Sequence, residues 1–154
     1  MLHIEWPVLS QMVADVEPFE YERCGFFFGY EEGGDSVVTR IMPAKNSSQA
    51  ERHINYEIEA RDYLCAEGMA DEEGLKLLGV YHSHPNHPAI PSDFDQEVAQ
   101  PNFFYIIISV KNRKLVEVRT WQLDQGKQFE EDEFDVIRSS QKYARPVLDI
   151  MELQ

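Results

Sequence analysis

The chain has 154 residues, of which 43% are hydrophobic and 12% aromatic. This length fits one domain, and this apolar content supports a buried core and excludes a wholly disordered chain. Acidic residues outnumber basic residues by 28 to 14, and the resulting net charge of −14 excludes binding to nucleic acid or to anionic membranes through a basic surface.

In chain order, hydrophobic patterning predicts a helix over residues 7–17, strands over 24–30 and 36–42, a helix over 57–67, a strand over 75–81, a short helix over 92–99, and strands over 103–110, 115–123 and 129–137. The run 103–110 is almost wholly apolar and is expected near the centre of the sheet. Residues 82–91 contain three prolines and are predicted to form a loop. The expected core positions of the second helix are Ile58, Tyr63, Leu64 and Cys65.

These elements predict an α+β fold, close to α/β, in which helices flank a mixed and mostly antiparallel sheet. We expect residues 1–138 to form a single domain and residues 139–154 to form a C-terminal tail. No apolar run reaches the roughly 18 residues of a transmembrane helix, and the N-terminus lacks the pattern of a secretory signal. Two cysteines are too few for a disulfide framework, so a cytoplasmic location is expected.

The chemically informative segment follows the strand predicted over 75–81. His82 and His84 come directly after it, and Ser92 and Asp95 begin the next predicted helix. Residues two apart in a strand point to the same face, so both imidazoles can reach one metal ion. Ser92 and Asp95 share a helical turn, and the intervening loop is long enough to bring Asp95 back over the histidines. Two imidazoles and one carboxylate with an open fourth position are typical of a catalytic zinc site.

Each half of this pattern also has an ordinary explanation. A His-x-His pair has low specificity for metal binding on its own. Ser92 and Asp95 also fit a helix start in which Ser92 is the N-cap and Asp95 reaches back to it. Sites with two histidines and one carboxylate also hold non-haem iron, and His-x-His occurs in cupin barrels. These alternatives leave the joint spacing of the two halves unexplained.

The joint pattern resembles the motif of the JAMM metalloprotease family, whose domain is called MPN or JAB. The motif runs His-x-His-Pro and then Ser-x-x-Asp, and the matching residues are His82, His84, Pro85, Ser92 and Asp95. The family also has a glutamate ahead of an apolar strand that opens with Cys-Gly or a similar pair, and Glu22 ahead of residues 24–29 looks like that element. The resemblance covers roughly residues 5–125. It implies a curved sheet of the cytidine-deaminase-like type.

The resemblance also implies a role for each motif residue. Zn²⁺ is the implied cofactor, with His82, His84 and Asp95 as its ligands. Glu22 is implied to act as a general base on water and then to return the proton to the leaving amine. Ser92 is implied to donate a hydrogen bond to the oxyanion. From its position alone, Glu22 fits a solvated loop carboxylate better than a catalytic group, and only the resemblance favours the catalytic role.

Three other residues could be taken for functional groups. His87 could supply a third nitrogen ligand, but the resemblance assigns that place to Asp95, so His87 is expected to be exposed in the loop. His53 is expected on the surface ahead of the second helix. Cys24 lies in an apolar strand, which fits a buried small side chain better than a nucleophile.

Members of the JAMM family cleave peptide or isopeptide bonds after the C-terminal Gly-Gly of ubiquitin-like proteins. The chain is similar in size to bacterial members that process sulfur-carrier proteins of the ThiS/MoaD type, so such a carrier is the expected partner. Two other functions stay open. One is a non-catalytic MPN interaction module, which the intact ligand set disfavours. The other is a role like that of RadC-type proteins, which the net charge of −14 disfavours.

Overall fold

A computed structural model describes residues 1–48 and 55–138. Its elements, in chain order, are β1 (Leu2–Glu5), α1 (Trp6–Val16), β2 (Cys24–Glu32), β3 (Asp35–Ala44), α2 (Ala60–Glu73), β4 (Lys76–Pro85), α3 (Asp93–Val98), β5 (Phe104–Lys111), β6 (Lys114–Leu123), β7 (Phe129–Asp132) and β8 (Phe134–Ile137). The strands form one sheet in the order β7-β6-β5-β4-β2-β3-β1-β8. Within the described residues, no helix is long and apolar enough to span a bilayer.

The sheet is mixed, as the sequence predicts. Antiparallel pairing joins β2 to β3 and to β4, and joins β6 to β5 and to β7. Parallel pairing joins β1 to β3 and to β8, and joins β4 to β5. The hairpin expected for residues 24–30 and 36–42 is present as β2 and β3. It turns at Gly33 and Gly34, whose φ angles of 60° and 89° favour glycine.

A single residue joins the two edges of this sheet. β7 pairs with β6 at one edge, β8 pairs with β1 at the other, and Glu133 alone separates β7 from β8 in the chain. Two peptide steps span at most about 7 Å. The sheet must therefore curl until its edges nearly meet, which gives the curved, almost barrel-like form. The more specific cytidine-deaminase-like arrangement stays a prediction.

Each face of the curved sheet has its own apolar cluster. One cluster lies under α1 and the other under α2. Side chains of β2 alternate between them, because Phe27 lies in the α1 cluster whereas Phe26 and Phe28 lie in the α2 cluster. Val80 of β4 also lies in the α2 cluster. Residues two and four positions after it therefore face the α2 side of the sheet.

Three strand predictions differ from the structure. β1 was not predicted, because its four residues are too few to show a period. β4 continues through Pro85, so the first part of the segment predicted as a loop over 82–91 is strand. Proline is tolerated there because it is the last residue of the strand. The single strand predicted over 129–137 divides into β7 and β8, which lie at opposite edges of the sheet.

The buried face of α2 also differs from the prediction. The helix begins at Ala60, after Ile58, and its fully buried positions are Ala66 and Ala70. Leu64 is 68% exposed, and Cys65 is exposed as well. Tyr63 was predicted correctly, since it packs against the α2 cluster together with Ile58. Small residues four apart let the helix approach the sheet closely, a possibility that a search for large apolar residues overlooks.

We expect Gly79→Ala to destabilise the fold, because β4 and β5 approach each other closely at this residue. A Cβ atom there would lie 1.8 Å from the carbonyl oxygen of Phe104 and 2.7 Å from the ring of Phe27. The free energy of unfolding, measured by urea denaturation, should fall by about 2–3 kcal/mol or more. Gly68→Ala is the control, because a Cβ atom there meets nothing within 4 Å. It should stabilise α2 by about 0.5–1 kcal/mol. Equal effects of the two substitutions would contradict the close approach.

Candidate metal centre

The pairing of β2 with β4 places Glu22 beside the two histidines. Cys24 pairs with His82 in this antiparallel ladder, so Glu22, two residues earlier, lies opposite His84. Side chains two residues apart share a face, and all of these side chains therefore project from the α2 side of the sheet. The expectation that His82 and His84 share a face is confirmed, since their Nε2 atoms are 3.2 Å apart.

A capping box at the start of α3 holds Asp95. The Ser92 hydroxyl accepts a hydrogen bond from the Asp95 amide at 3.0 Å, and the Ser92 amide donates to Asp95 Oδ2 at 2.9 Å. The helix start that was weighed against a functional site is therefore present. It does not compete with such a site, because the same carboxylate oxygen also faces both histidines. Asp95 Oδ2 lies 3.3 Å from His82 Nε2 and 3.1 Å from His84 Nε2.

The three facing atoms form a nearly equilateral triangle with edges of 3.1–3.3 Å. In a tetrahedral zinc site with bonds of about 2.0–2.1 Å, neighbouring ligand atoms lie about 3.3–3.4 Å apart. The triangle therefore has the dimensions of one face of such a tetrahedron. One oxygen of Glu22 joins the group, and all four ligand atoms lie within 4.8 Å of one another. The group could hold a metal ion and could leave a coordination position open.

All four residues of this group are buried, and each is at most 2% exposed. Several of their polar atoms have no hydrogen-bond partner among the described residues: Glu22 Oε1 and Oε2, His82 Nδ1, and Asp95 Oδ1. Unsatisfied carboxylate oxygens in such a setting cost several kcal/mol unless a cation or a water compensates them. The donor set therefore fits a divalent cation better than it fits an empty polar core.

The pKa values of the two carboxylates in the group shift in opposite directions. Burial, and after it the negative charge of Asp95, raises the pKa of Glu22 to about 9. Burial alone would also raise the pKa of Asp95. The charge of His82, together with hydrogen bonds from His82, His84 and the Ser92 amide, holds the pKa of Asp95 well below its usual range instead. Glu22 is thus the group that tends to hold a proton, and Asp95 is the one that stays ionised.

Contacts to the backbone and to a neighbouring ring orient the two imidazoles. His84 Nδ1 lies 2.7 Å from the carbonyl oxygen of Pro88. A carbonyl can only accept, so Nδ1 carries a proton and Nε2 can offer its lone pair to a metal. The ring of His82 stacks on Tyr56, with 4.3 Å between the ring centroids.

The loop that contains Pro88 is held by three neighbouring strands. His84 of β4 donates to Pro88, as described above, Ser109 of β5 donates to the carbonyl of His87 at 2.6 Å, and Trp121 of β6 donates to the carbonyl of Ala89 at 3.1 Å. Three consecutive carbonyls of the loop thus each accept one side-chain hydrogen bond. The sequence did not predict that Ser109 and Trp121 hold this loop. A lone serine in the apolar run 103–110 was the available signal for Ser109, and no pattern marked Trp121.

Two of the three other residues considered in the sequence, His87 and Cys24, lie in the described part of the chain. His87 is half-buried rather than exposed as expected, because its ring stacks on His84 with centroids 4.2 Å apart. It does not belong to the four-residue group. Cys24 is fully buried, as expected, and burial raises the pKa of its thiol to about 12. His53 lies outside the described residues.

The family of prokaryotic homologs of the JAB domain has a family model that matches residues 6–124. The chain belongs to this family. Among curated proteins, it is similar to the desampylases of Haloferax volcanii (31% identical over 60% of this chain) and Pyrococcus furiosus (28% over 80%). It is also similar to a probable TtuB-protein conjugate cleaving protease of Thermus thermophilus (38% over 62%). These matches cover 65%, 81% and 60% of the respective relatives.

Two solved structures resemble the fold. The solution structure of protein DSY2949 from Desulfitobacterium hafniense superposes with a TM-score of 0.80 at 26% identity, over 93% of this chain and 97% of that one. The solution structure of a Salinibacter ruber protein gives a TM-score of 0.65 at 34% identity, over 86% of this chain and 89% of that one. A JAB-domain fold thus surrounds the four-residue group.

Proposed function

We propose that the protein is a zinc-dependent peptidase or isopeptidase that hydrolyses the bond after the C-terminal Gly-Gly of a ubiquitin-like or sulfur-carrier protein. One observation carries the proposal: a triangle of two imidazole nitrogens and one carboxylate oxygen lies beside a buried glutamate whose oxygens have no partner among the described residues. The names of the three curated relatives support the kind of reaction. The catalytic domain is assigned to residues 1–138 of a cytoplasmic protein, and residues 139–154 to a tail.

His82, His84 and Asp95 would hold the zinc ion. Imidazole nitrogen and carboxylate oxygen are ordinary zinc ligands, and three protein ligands leave the fourth position for water or substrate. When bound, zinc lowers the pKa of water to about 7 and polarises the scissile carbonyl. The hydrogen bond from His84 Nδ1 to Pro88 keeps the opposite nitrogen available as a ligand.

Glu22 would carry the proton through the reaction. Hydrolysis joins a water oxygen to the carbonyl carbon, breaks the bond from that carbon to nitrogen, and delivers one water proton to the departing amine. A carboxylate beside the ligand atoms, with no hydrogen bond to either oxygen from the described residues, can accept that proton and then donate it.

Ser92 would stabilise the developing oxyanion. Its hydroxyl oxygen already accepts a hydrogen bond from the Asp95 amide. The hydroxyl proton is then left to be donated, and α3 holds it next to the carboxylate that completes the triangle. A donor aimed at the position where charge develops stabilises the transition state more than the ground state.

A carrier with a C-terminal Gly-Gly fits the depth of the site. The four groups are almost wholly buried, so a substrate chain can bring its scissile bond to them only if it is narrow. Two glycines lack side chains and meet this requirement. The tail cannot add as a new strand to β4 between Gly79 and His82, because β2 and β5 flank that stretch on both sides. The outermost strands of the described sheet are β7 and β8.

The metal assignment predicts about one zinc ion per chain in protein purified without chelator. His82→Ala should nearly abolish zinc binding, because it removes one corner of the triangle, and Asp95→Asn should weaken it. His87→Ala is the matched control, since this neighbouring histidine lies outside the group, and it should keep the zinc. Metal analysis by mass spectrometry measures the zinc content of the wild-type protein and of each variant. Unchanged zinc in a His82→Ala/His84→Ala variant would remove the metal site, and zinc-free wild-type protein would favour the non-catalytic interaction module.

The assignment of Glu22 predicts that Glu22→Gln keeps zinc and loses turnover. The amide has nearly the same shape as the carboxylate but cannot take up a proton, so kcat should fall by about 10² to 10⁴. Zinc content and the rate of conjugate cleavage are measured on the same preparation. Full activity of this variant would exclude Glu22 as the proton carrier. Loss of zinc would instead make Glu22 a ligand.

The substrate assignment predicts cleavage of a ThiS/MoaD-like carrier that is extended beyond its Gly-Gly. Intact-mass spectrometry should detect release of the extension, and a chelator should stop it. A carrier whose final glycine is replaced by valine should resist cleavage, because the branched side chain would collide with the walls of the buried site. Cleavage that continues in chelator would refute a zinc hydrolase. Equal cleavage of the valine carrier would show that the site does not select Gly-Gly.

A further inference from the structure

The position of the Glu22 carboxylate depends on the main chain that carries it. Neither of its oxygens has a partner among the described residues, although the residue is fully buried. Within the described part of the chain, the contacts that position it are therefore those of the main chain on either side of it. On the β4 side, the amide of Arg23 donates to Ser83 Oγ at 2.9 Å, and the Arg23 carbonyl accepts from the Ser83 amide at 3.0 Å. These contacts fix one edge of the segment that carries Glu22.

Asn46 holds the opposite edge of that segment. The pairing of β2 with β3 ends where Cys24 meets Ala44. Two residues beyond this pair, the side chain of Asn46 continues the connection, because its Nδ2 donates to the carbonyl of Glu22 at 2.8 Å. An amide side chain here takes the place of a ladder hydrogen bond that the strands no longer make.

The side-chain amide of Asn46 is fully used. Besides the bond to Glu22, Nδ2 donates to the carbonyl of Asn55 at 3.1 Å. Oδ1 accepts from the amide of Ser48 at 3.0 Å and from the amide of Glu57 at 3.1 Å. Two donor hydrogens and two lone pairs thus all have partners, and the residue is only 9% exposed. A buried asparagine with this set of bonds fixes four backbone positions relative to one another.

We propose that Asn46 is a positioning residue for Glu22 and sets where its carboxylate stands relative to the ligand triangle. The inference rests on the proposed function, in which Glu22 carries the proton. Proton transfer requires the carboxylate within hydrogen-bond distance of the water, and a displacement of about 1 Å can cost about 10²-fold in rate. A glutamate whose carboxylate has no hydrogen bond from the described residues depends on its backbone for that accuracy.

Kinetics separate this role from simple support of the fold. Asn46→Ala should lower kcat by about 10- to 100-fold, leave KM within about 3-fold, and leave the zinc content unchanged. In the Glu22→Gln background the same substitution should cost less than about 2-fold, because the group that Asn46 positions is already lost. Losses that multiply in the double variant would overturn the proposal.

Asn46→Asp tests whether the donor or the acceptor of the side-chain amide supports turnover. At pH 8 an ionised carboxylate can still accept from the amides of Ser48 and Glu57, but it cannot donate to the carbonyl of Glu22. This variant should lose kcat about as Asn46→Ala does, and hydrogen exchange of the two amides should stay protected. Retention of full activity would show that the contact to Glu22 is unimportant and would overturn the proposal.

Thr120→Val is the matched structural control. Thr120 is fully buried and donates from Oγ1 to the carbonyl of Asp132 at 2.7 Å, so valine also removes one buried bond to a backbone carbonyl. It should lower the midpoint of thermal unfolding comparably and leave kcat within about twofold of wild type. A loss of kcat as large as that of Asn46→Ala would show that any buried hydrogen bond has this effect, and would overturn the proposal.

A measurement without turnover keeps this inference separate from the proposed function. In protein loaded with Co²⁺, the pseudocontact shift of the Glu22 amide proton reports its distance and direction from the metal. Asn46→Ala should change this shift, whereas Thr120→Val should not. If the wild-type protein cleaves no conjugate, the proposed activity fails and this comparison still decides the positioning role. An unchanged shift, or a wild-type protein that binds no Co²⁺, would overturn it.

Discussion

The burial of four ionisable side chains against one another is the constraint on which the rest of the site depends. Glu22, His82, His84 and Asp95 are each at most 2% exposed, and removing a charge from water costs several kcal/mol unless a partner compensates it. The fold compensates part of this cost with the backbone, through the capping box at Asp95 and the carbonyl that faces His84. The remaining oxygens are left for an ion or for water. A divalent cation bound there would therefore stabilise the folded chain as well as supply the reaction chemistry.

Sequence alone predicts the parts of this site that depend on local geometry. The period of a strand places His82 and His84 together, and the spacing of a capping box places Asp95 at the first turn of α3. The position of Glu22 was available only through the family resemblance. Its neighbourhood depends on the register between β2 and β4, and no local pattern encodes a pairing across about 60 residues.

The difference between local patterns and contacts made in the folded chain also explains the errors in the predicted fold. Leu64 is exposed because α2 faces the sheet with two alanines, and helical periodicity of large residues cannot reveal a contact made by small ones. The segment 82–91 was predicted to be a loop from its prolines, but pairing with β5 keeps its first four residues in the sheet. Asn46 and Trp121 carried no signal, because their partners are backbone carbonyls that any sequence supplies.

Three strands of the sheet hold the loop between His84 and Ser92. Its carbonyls at His87, Pro88 and Ala89 accept hydrogen bonds from three different strands, so its conformation is determined by the sheet. A molecule that bound against this loop would not have to offset the entropic cost of ordering it. More of the contact energy could then appear as affinity. The ring of His87 belongs to the same arrangement, since it stacks on His84.

The curling of the sheet has a consequence for how copies of this protein meet in concentrated solution. An open sheet exposes rows of unpaired backbone groups that can template growth by a second chain. Here both outer strands have only four residues, and they carry acidic side chains that include Glu130, Glu131 and Asp135. Two copies that approached edge to edge would bring these like charges together. Short, acidic edges would thus discourage fibre-like stacking, and helices α1 and α2 cover the two faces of the sheet.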